Sequence, residues 1–229
     1  MLAPVILSLR VALIATFFSL IIGTFLSYIF ANYHFWGKSI LETLFTLPLI
    51  LPPTVLGYLL LIVFGRRRFL GEILAEQFGI QVVFTPLAAI IAATIVSLPL
   101  MIQSIKSSFN SIDPVYQKAA STLGSGKFKI FFTVTLPMAW PGIVSGIVLG
   151  FARSLGEFGA TLMIAGNIPG LTQTIPTAIY SAVETGNTEL ANRLVMIMTI
   201  ISFLLILFLN TWLKKKHYIG RIKNRNASN

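Results

Sequence analysis

Five largely apolar stretches without a charged residue alternate along the chain with short segments that carry the charges. They cover residues 11–31, 43–65, 77–105, 130–152 and 194–213. As an α-helix rising about 1.5 Å per residue, each is long enough to cross a hydrocarbon core of about 30 Å. The pattern predicts an all-α polytopic membrane protein, a single transmembrane domain over residues 1–229 with spans at about 11–31, 43–65, 84–105, 131–155 and 194–213.

A sixth charge-free stretch, residues 158–183, is apolar only where it begins. Its second half is rich in residues that favour turns and loops. They are Asn167, Pro169, Gly170, Thr172, Gln173 and Pro176. We therefore expect the outer end of the fourth span here, followed by an external loop.

The composition supports the membrane class. Hydrophobic residues make up 55% of the chain and charged residues only 10%, whereas about a quarter of the residues of a soluble domain are charged. Cysteine is absent, and His34 and His217 lie far apart, so neither a disulfide framework nor a metal site is predicted. The first apolar stretch is too long for a signal-peptide core, which indicates a retained span.

The distribution of basic residues predicts the orientation. Lys and Arg number 17 against 7 Asp and Glu, and bacterial membrane proteins gather basic residues in their cytoplasmic loops. We attribute the surplus to topology and expect no nucleic-acid partner. With five spans, one face carries Lys38, Lys106, Lys118, Lys127, Lys129, Lys214, Lys215, Lys216, Arg221, Lys223 and Arg225. The other carries only Arg10, Arg66, Arg67, Arg68 and Arg193. The richer face is predicted to be cytoplasmic, with the N-terminus outside and the C-terminus inside.

The run Arg66-Arg67-Arg68 opposes this rule, because it places three consecutive arginines on the outer face. One interpretation is interfacial snorkelling, with the stems in the headgroup layer and the guanidinium groups in water. The other is an electropositive funnel that attracts an anionic substrate or its carrier.

Prolines interrupt the second, third and fourth stretches. They are Pro48, Pro52, Pro53, Pro99, Pro137 and Pro141. A proline removes a backbone donor and clashes with the preceding turn, so kinked or discontinuous spans are predicted. In a membrane such irregularity is tolerated only where it is buried in protein or lines a wet cavity. The kinks therefore belong either to pathway-lining or moving helices or to helices fixed by packing.

Small residues recur at four-residue intervals in the fourth stretch. They are Gly142, Gly146, Gly150 and Ser154. A stripe of this kind lets two helix backbones approach closely. It predicts a helix contact, with a smooth wall for a small solute as the alternative.

An ionisable pair, Arg153 and Glu157, follows the fourth apolar stretch. Its four-residue spacing would put both side chains on one helix face. Charged residues near membrane depth are paired and mark a pathway or gate by default. We therefore assign Arg153, Ser154 and Glu157, with Pro52 and Pro53, to the pathway or its gate. A salt bridge that only pins helices is the alternative.

The segment between the third and fourth stretches predicts a short cytoplasmic helix at about 113–124. Asp113 suits the N-cap, Pro114 the first helical position and Gly124 the residue after the end. Ala119 and Ala120 offer a small, flat surface that would fit a cleft of another protein. A passive connecting helix is the alternative.

No nucleotide-binding or catalytic motif is found in the sequence. Gly37-Lys38-Ser39 imitates the end of a phosphate-binding loop, but that motif needs a glycine where the chain has Asn32. A zinc-protease pair and a nucleophile elbow are also absent. A membrane enzyme is therefore disfavoured as a hypothesis, and a passive channel is a further alternative to a transport subunit. The site of such an enzyme would be Arg66, Arg67, Arg68, Arg153 and Glu157.

Three segments resemble the permeases of ATP-binding-cassette (ABC) importers. The Ala-Ala, Gly and Leu-Pro positions of their cytoplasmic motif are matched by Ala119, Ala120, Gly124, Leu136 and Pro137, with Lys118 where the family has glutamate. Residues 47–58, followed by Gly65-Arg66-Arg67, and residues 151–160 resemble the second and fourth spans of the molybdate permeases. Sulfate permeases share the stretch at 156–160, so the second-span segment favours molybdate.

The resemblance implies a type I ABC importer permease fold in a bacterial inner membrane. Two copies would form the path, two cytoplasmic ATPase subunits would dock on Ala119, Ala120 and Gly124, and a periplasmic binding protein would deliver the oxyanion. ATP and Mg would bind the ATPase and no cofactor this chain, which would not be an enzyme itself. Transport would proceed by alternating access, with sulfate, thiosulfate or tungstate as alternative substrates. An extra N-terminal span, present in some relatives, is not expected before Val11.

Overall fold

The computed structural model describes residues 2–226, and of Phe69 and residues 213–226 it describes the backbone only. The described part is helical without a β-strand. Its helices are α1 (Leu2–Asn32), α2 (Lys38–Thr46), α3 (Pro53–Phe64), α4 (Phe69–Phe78), α5 (Pro86–Asn110), α6 (Pro114–Thr122), α7 (Lys127–Ile130), α8 (Leu136–Leu155), α9 (Gly159–Ala165), α10 (Ile175–Glu184) and α11 (Thr188–Asn226). A 3₁₀ turn, Leu47–Leu49, follows α2, and a π-helical turn, Phe131–Thr135, joins α7 to α8.

Four helical segments among the described residues are long and apolar enough to cross a membrane. They are Leu2–Asn32, Pro86–Asn110, Lys127–Leu155 and Thr188–Trp212. A fifth crossing results if the bent pair Lys38–Leu49 and Pro53–Phe64 counts as one span. The predicted all-α polytopic fold with kinked spans is therefore confirmed.

The second predicted span is broken rather than kinked. Its two halves meet at a bend of 115°. Pro52 is extended, with ψ 134°, and Pro53 is the first residue of α3. The proline ring disfavours the helical region for the residue that precedes it. The tandem prolines therefore end one helix and start another in a new direction.

Helix α5 lies at the centre of the bundle, between α1 and α8. The hydroxyls of Ser19 and Ser97 are 2.8 Å apart, and Ser27 donates to the Ile102 carbonyl at 3.0 Å. Residue numbers at these contacts increase in the same direction along α1 and α5, so the two helices are parallel. In α8 the order is reversed, because Ser104 donates to the Gly142 carbonyl whereas Ser154 donates to the Ala93 carbonyl.

The direction of each helix defines two ends of the bundle. The N-terminal end holds the starts of α1 and α5, and the α6 end holds the ends of both helices together with α6. Helix α11 runs parallel to α1, since Leu194 packs near Val5 whereas Phe208 packs near Phe17. The structure thus has α8 running back from the α6 end to the N-terminal end.

The small-residue stripe of α8 packs against α5. A methyl group added to Gly142 would lie 2.3 Å from Ser108 Cβ, and one added to Gly146 would lie 2.9 Å from Met101 Sδ. No larger residue fits without displacing α5. The stripe is therefore a helix contact, as the first of the two interpretations predicts.

The loop predicted within residues 158–183 is shorter than expected, since only Phe158 and residues 166–174 lie outside α9 and α10. This stretch contains α9 and α10, and the Ile175 amide donates to the Ser8 hydroxyl at 2.7 Å. Thr172, Thr174 and Thr177 are buried. Thr174 and Thr177 form a capping box at the start of α10. Within the loop Thr172 accepts from the Ile168 amide at 3.0 Å, and at the start of α10 Thr177 accepts from the Thr174 amide at 2.8 Å.

Two long helices extend beyond the apolar stretches that predict them. Helix α1 begins at Leu2 and includes the exposed Arg10, and the fourth span begins at Lys127. A charged residue does not end a helix when its side chain reaches the membrane surface. The C-terminal basic residues used to predict the orientation lie outside the described side chains. They are Lys214, Lys215, Lys216, Arg221, Lys223 and Arg225.

We expect Gly142→Ala to lower the free energy of unfolding by about 1–3 kcal/mol, because the added methyl group overpacks the contact between α8 and α5. Denaturant unfolding of the purified protein in detergent would measure the loss. Gly156→Ala is the matched control, since its methyl group would lie 3.6 Å from the Ala152 carbonyl oxygen, an ordinary contact. Equal losses in the two variants would contradict the packing argument.

Candidate functional site

Helix α6 is defined by its own residues at both ends. The Asp113 carboxylate accepts from the Val115 amide at 2.9 Å, and Pro114 occupies the first turn. At the other end, the Ser125 amide donates to the Ala120 carbonyl at 3.1 Å and the Gly124 amide to that of Ser121 at 3.0 Å. These two bonds form a Schellman motif, which requires a left-handed residue. Gly124 supplies it, with φ 81°.

Helix α6 stands almost free of the bundle. Val115, Tyr116 and Leu123 are 60%, 52% and 85% exposed. Ala119 and Lys118 are also exposed, and Ala120 is half-buried. Exposed apolar side chains on a capped helix at one end of a bundle form a surface suited to a protein partner.

A π-helical turn connects the α6 end to the fourth span. The Leu136 amide donates to the Phe131 carbonyl, one residue further back than in an α-helix. Leu136 packs on the cluster around Met101, and Pro137 is exposed. The Gln117 side chain reaches the Thr135 hydroxyl at 3.4 Å. This long polar contact ties α6 to the turn.

The structure brings the two helix breaks together. A methyl group added to Gly159, the first residue of α9, would lie 2.8 Å from Pro53 Cβ. One added to Gly57 would lie 2.9 Å from Ala160 Cα. The starts of α3 and α9 are therefore in direct contact, with Pro52 exposed beside them.

Arg153 and Glu157 form an ion pair, but they do not share a helix. Helix α8 ends at Leu155, and Glu157 lies in the turn before α9. Its Oε2 accepts from Arg153 Nη1 at 2.8 Å and its Oε1 from the Ala160 amide at 2.8 Å. The one-face prediction is therefore wrong, because the chain leaves the helix between the two residues. Glu157 instead holds the start of α9.

The two members of the pair differ in exposure. The side chain of Glu157 is 2% exposed and that of Arg153 is 30% exposed. The neighbouring Ser154 is buried, and its hydroxyl lies 3.3 Å from the Ala93 carbonyl. Ala93 is seven residues into α5, which puts Arg153 about 10 Å below the N-terminal end. A guanidinium at this depth needs a protein or water-filled neighbour.

The arginine run lies in the turn between α3 and α4, at the N-terminal end. Arg66, Arg67 and Arg68 are all exposed. Glu72 and Glu76 share a cavity of about 530 Å³ with Arg66 and Arg67. The outer patch is thus of mixed charge, and both snorkelling and funnel interpretations of the run stay predictions.

The sequence analysis missed the anchor of α2. Lys106 Nζ lies 2.8 Å from Glu42 Oε1, and Lys38 Nζ lies 3.9 Å from the same atom. Lys106 also lies 6.0 Å from the centre of the Phe30 ring. These contacts hold α2 across the ends of α1 and α5. An acidic residue at the edge of the second apolar stretch was the available signal.

Among the described residues, no three His, Cys, Asp or Glu side chains come close enough together to hold a metal ion.

Comparison with known proteins gives consistent results. The family model described as "Binding-protein-dependent transport system inner membrane component" matches residues 5–216. The protein YvgM of Bacillus subtilis is 47% identical over 214 residues, which is 93% of both chains. The molybdenum transport system permease proteins ModB of Escherichia coli K12 and Haemophilus influenzae are 44% and 43% identical, over 92% of each chain.

Solved structures share the fold at much lower identity. A chain of the inward-facing MetNI methionine ABC transporter matches with a TM-score of 0.72 and 16% identity, over 94% of this chain and 95% of that one. A chain of a bacterial ABC transporter for alginate import matches with a TM-score of 0.73 and 14% identity, over 93% and 79%. These likenesses confirm the predicted fold class.

We expect Glu157→Ala to lower the free energy of unfolding by about 2–3 kcal/mol, because it leaves Arg153 and the Ala160 amide without their acceptor. Thermal or denaturant unfolding in detergent would measure it. Glu189→Ala is the matched control, since Glu189 forms an exposed pair with Arg193 at the same spacing. That pair is worth about 0–0.5 kcal/mol. A similar loss in both variants would sink the assignment of Glu157 as the residue that fixes the turn.

Proposed function

The chain belongs to the family of binding-protein-dependent transport system inner membrane components, and from this premise we propose that it is the permease subunit of an ATP-driven molybdate importer. The names of its relatives support molybdate as the substrate. The observation that carries the transport role is α6, a well-capped helix whose apolar side chains are uncovered.

Helix α6 is the docking element for a cytoplasmic ATPase. The small side chains of Ala119 and Ala120 let a partner cleft close on the helix, and Val115, Tyr116 and Leu123 supply apolar contact area. In this proposal ATP and Mg bind the partner, and the chain itself is a non-catalytic subunit without a cofactor. Two ATPase subunits would serve two copies of the chain.

The proposed orientation places the N-terminal end outside and the α6 end in the cytoplasm of a bacterium, across its inner membrane. It is supported by the opposite placement of the start of α1 and of α6 in the bundle. Lys118, Lys127 and Lys129 are exposed at the α6 end, where the positive-inside rule expects them. An external oxyanion-binding protein would approach the opposite end.

The path lies where the breaks before α3 and α9 meet. Broken helices inside a membrane are found where substrate crosses, because their irregular backbone must line a cavity or be buried. Arg153, Ser154 and Glu157 lie on one side of this junction, and Pro52 and Pro53 on the other. The half-exposed guanidinium of Arg153 would face the path shared with the second copy and attract a dianion.

Alternating access would then use helices joined at breaks in the helical backbone. When the ATPase subunits close, they carry α6, and the π-helical turn passes the displacement to α8. The α8–α9 junction would act as the gate during this movement, and Glu157 would fix its geometry. A salt bridge that merely braces the helices is the alternative role of the pair.

We expect Ala119→Asp to abolish molybdate uptake, because a buried carboxylate without a partner in the docking cleft weakens the interface by about 2–5 kcal/mol. Uptake and ATPase co-purification would be measured in membranes with equal amounts of inserted protein. Ala119→Ser is the matched control and should keep both. Normal uptake by the aspartate variant would remove α6 from the coupling role.

Competition among oxyanions tests the substrate. In proteoliposomes with the complete transporter, unlabelled molybdate and tungstate should suppress labelled molybdate uptake more strongly than sulfate or thiosulfate does. A preference for sulfate would overturn the molybdate assignment and leave the permease function in place.

A further inference from the structure

An apolar groove of about 640 Å³ opens at the α6 end, between the last turns of α1 and the segment formed by α7 and the π-helical turn. Aromatic rings form most of its wall, including those of Phe25, Tyr28, Phe131 and Phe132. The rings of Tyr28 and Phe131 meet edge to face at 4.8 Å. They form a rigid floor, while Phe25 and Phe132 are 64% and 61% exposed at the sides.

Apart from the hydroxyls of Tyr28 and Tyr33, the polar side chains of the groove are basic. Lys127 and His34 line it, and none of the described side chains that line it is acidic. Lys127 forms no ion pair with any described side chain, whereas Glu42 of α2 is already paired with Lys106 and Lys38. An aromatic groove with one unneutralised ammonium group at its edge complements a molecule with an apolar tail and an anionic head.

We propose that this groove binds a phospholipid with an anionic headgroup, one acyl chain lying along the rings of Phe25, Tyr28 and Phe132 and the phosphate lying on Lys127. Three features favour a lipid. The groove lies at the start of the fourth span, where Lys127–Leu155 enters the membrane, and tyrosine side chains such as Tyr28 and Tyr33 favour the headgroup level. Basic pockets between membrane helices bind anionic headgroups. The volume lies within the range of about 300–1,000 Å³ that buries small ligands.

The lipid would contact both α1 and the segment that joins α6 to the fourth span. With the orientation proposed above, it would belong to the cytoplasmic leaflet. Binding to the groove does not depend on that orientation or on the transported anion.

The test is lipid retention by the full chain, measured by native mass spectrometry after release from vesicles of equal parts phosphatidylglycerol and phosphatidylcholine. We expect phosphatidylglycerol to remain bound in preference to phosphatidylcholine. Lys127→Ala should lower its occupancy about fivefold, the effect of one basic residue near an anionic headgroup. Lys127→Arg should keep it. Lys129→Ala, two residues away and outside the groove, is the matched control and should leave it unchanged.

A second pair of variants tests the acyl chain. Phe25→Ala should reduce retention of both lipids, whereas Phe18→Ala, an exposed ring on the same helix outside the groove, should not. Equal retention of the two lipids, equal effects of Lys127→Ala and Lys129→Ala, or no effect of Phe25→Ala would each overturn the proposal. If the complete transporter with the unmodified chain took up no molybdate while the chain retained phosphatidylglycerol as expected, that result would count against the proposed function alone.

Discussion

Close packing of small residues on α5 holds the bundle together. Lipid tails are as apolar as leucine, so membrane helices associate through van der Waals contact and interhelical hydrogen bonds rather than through the hydrophobic effect. Here Ser19 and Ser97 join α1 to α5, and the glycines of α8 allow a second close backbone approach to α5. Because α5 is fixed by both helices, its surroundings can be irregular without loss of the fold.

That irregularity is concentrated where α3 and α9 begin. Each break leaves backbone groups that lipid cannot satisfy, and the structure answers with protein contacts. Pro53 needs no acceptor for a backbone amide, Gly159 allows the two chains to touch, and Glu157 accepts from Ala160. The Glu157 carboxylate thereby caps the start of α9 within the membrane. The junction is both tightly specified and the place where the backbone departs from regular helix.

Under the proposed function, the two ends of the bundle serve different partners. At the α6 end the exposed helix α6 would contact the ATPase subunit. A π-helical turn leads from the α6 end into the fourth span. At the other end α10 and the turn after α3 form the surface that a binding protein would meet. Most buried polar groups of the central part are serine and threonine hydroxyls, several of which join one helix to another. Specificity for the anion is then better held by the binding protein than by the path.

Local chemistry determined α6 from the sequence alone: Asp113, Pro114 and Gly124 are start and stop signals that act within a few residues of themselves. The same holds for the membrane class and the break at Pro52 and Pro53, since apolar run length and proline geometry need no distant partner. The covered helices α9 and α10 could not be read in this way. The loop at 166–174 between them is visible in the sequence, but the covered position of α10 depends on Ser8, far away in sequence, which accepts from the Ile175 amide. Likewise, only tertiary structure moved Glu157 off the helix of Arg153, because a helix end inside a membrane is decided by which neighbour satisfies its backbone.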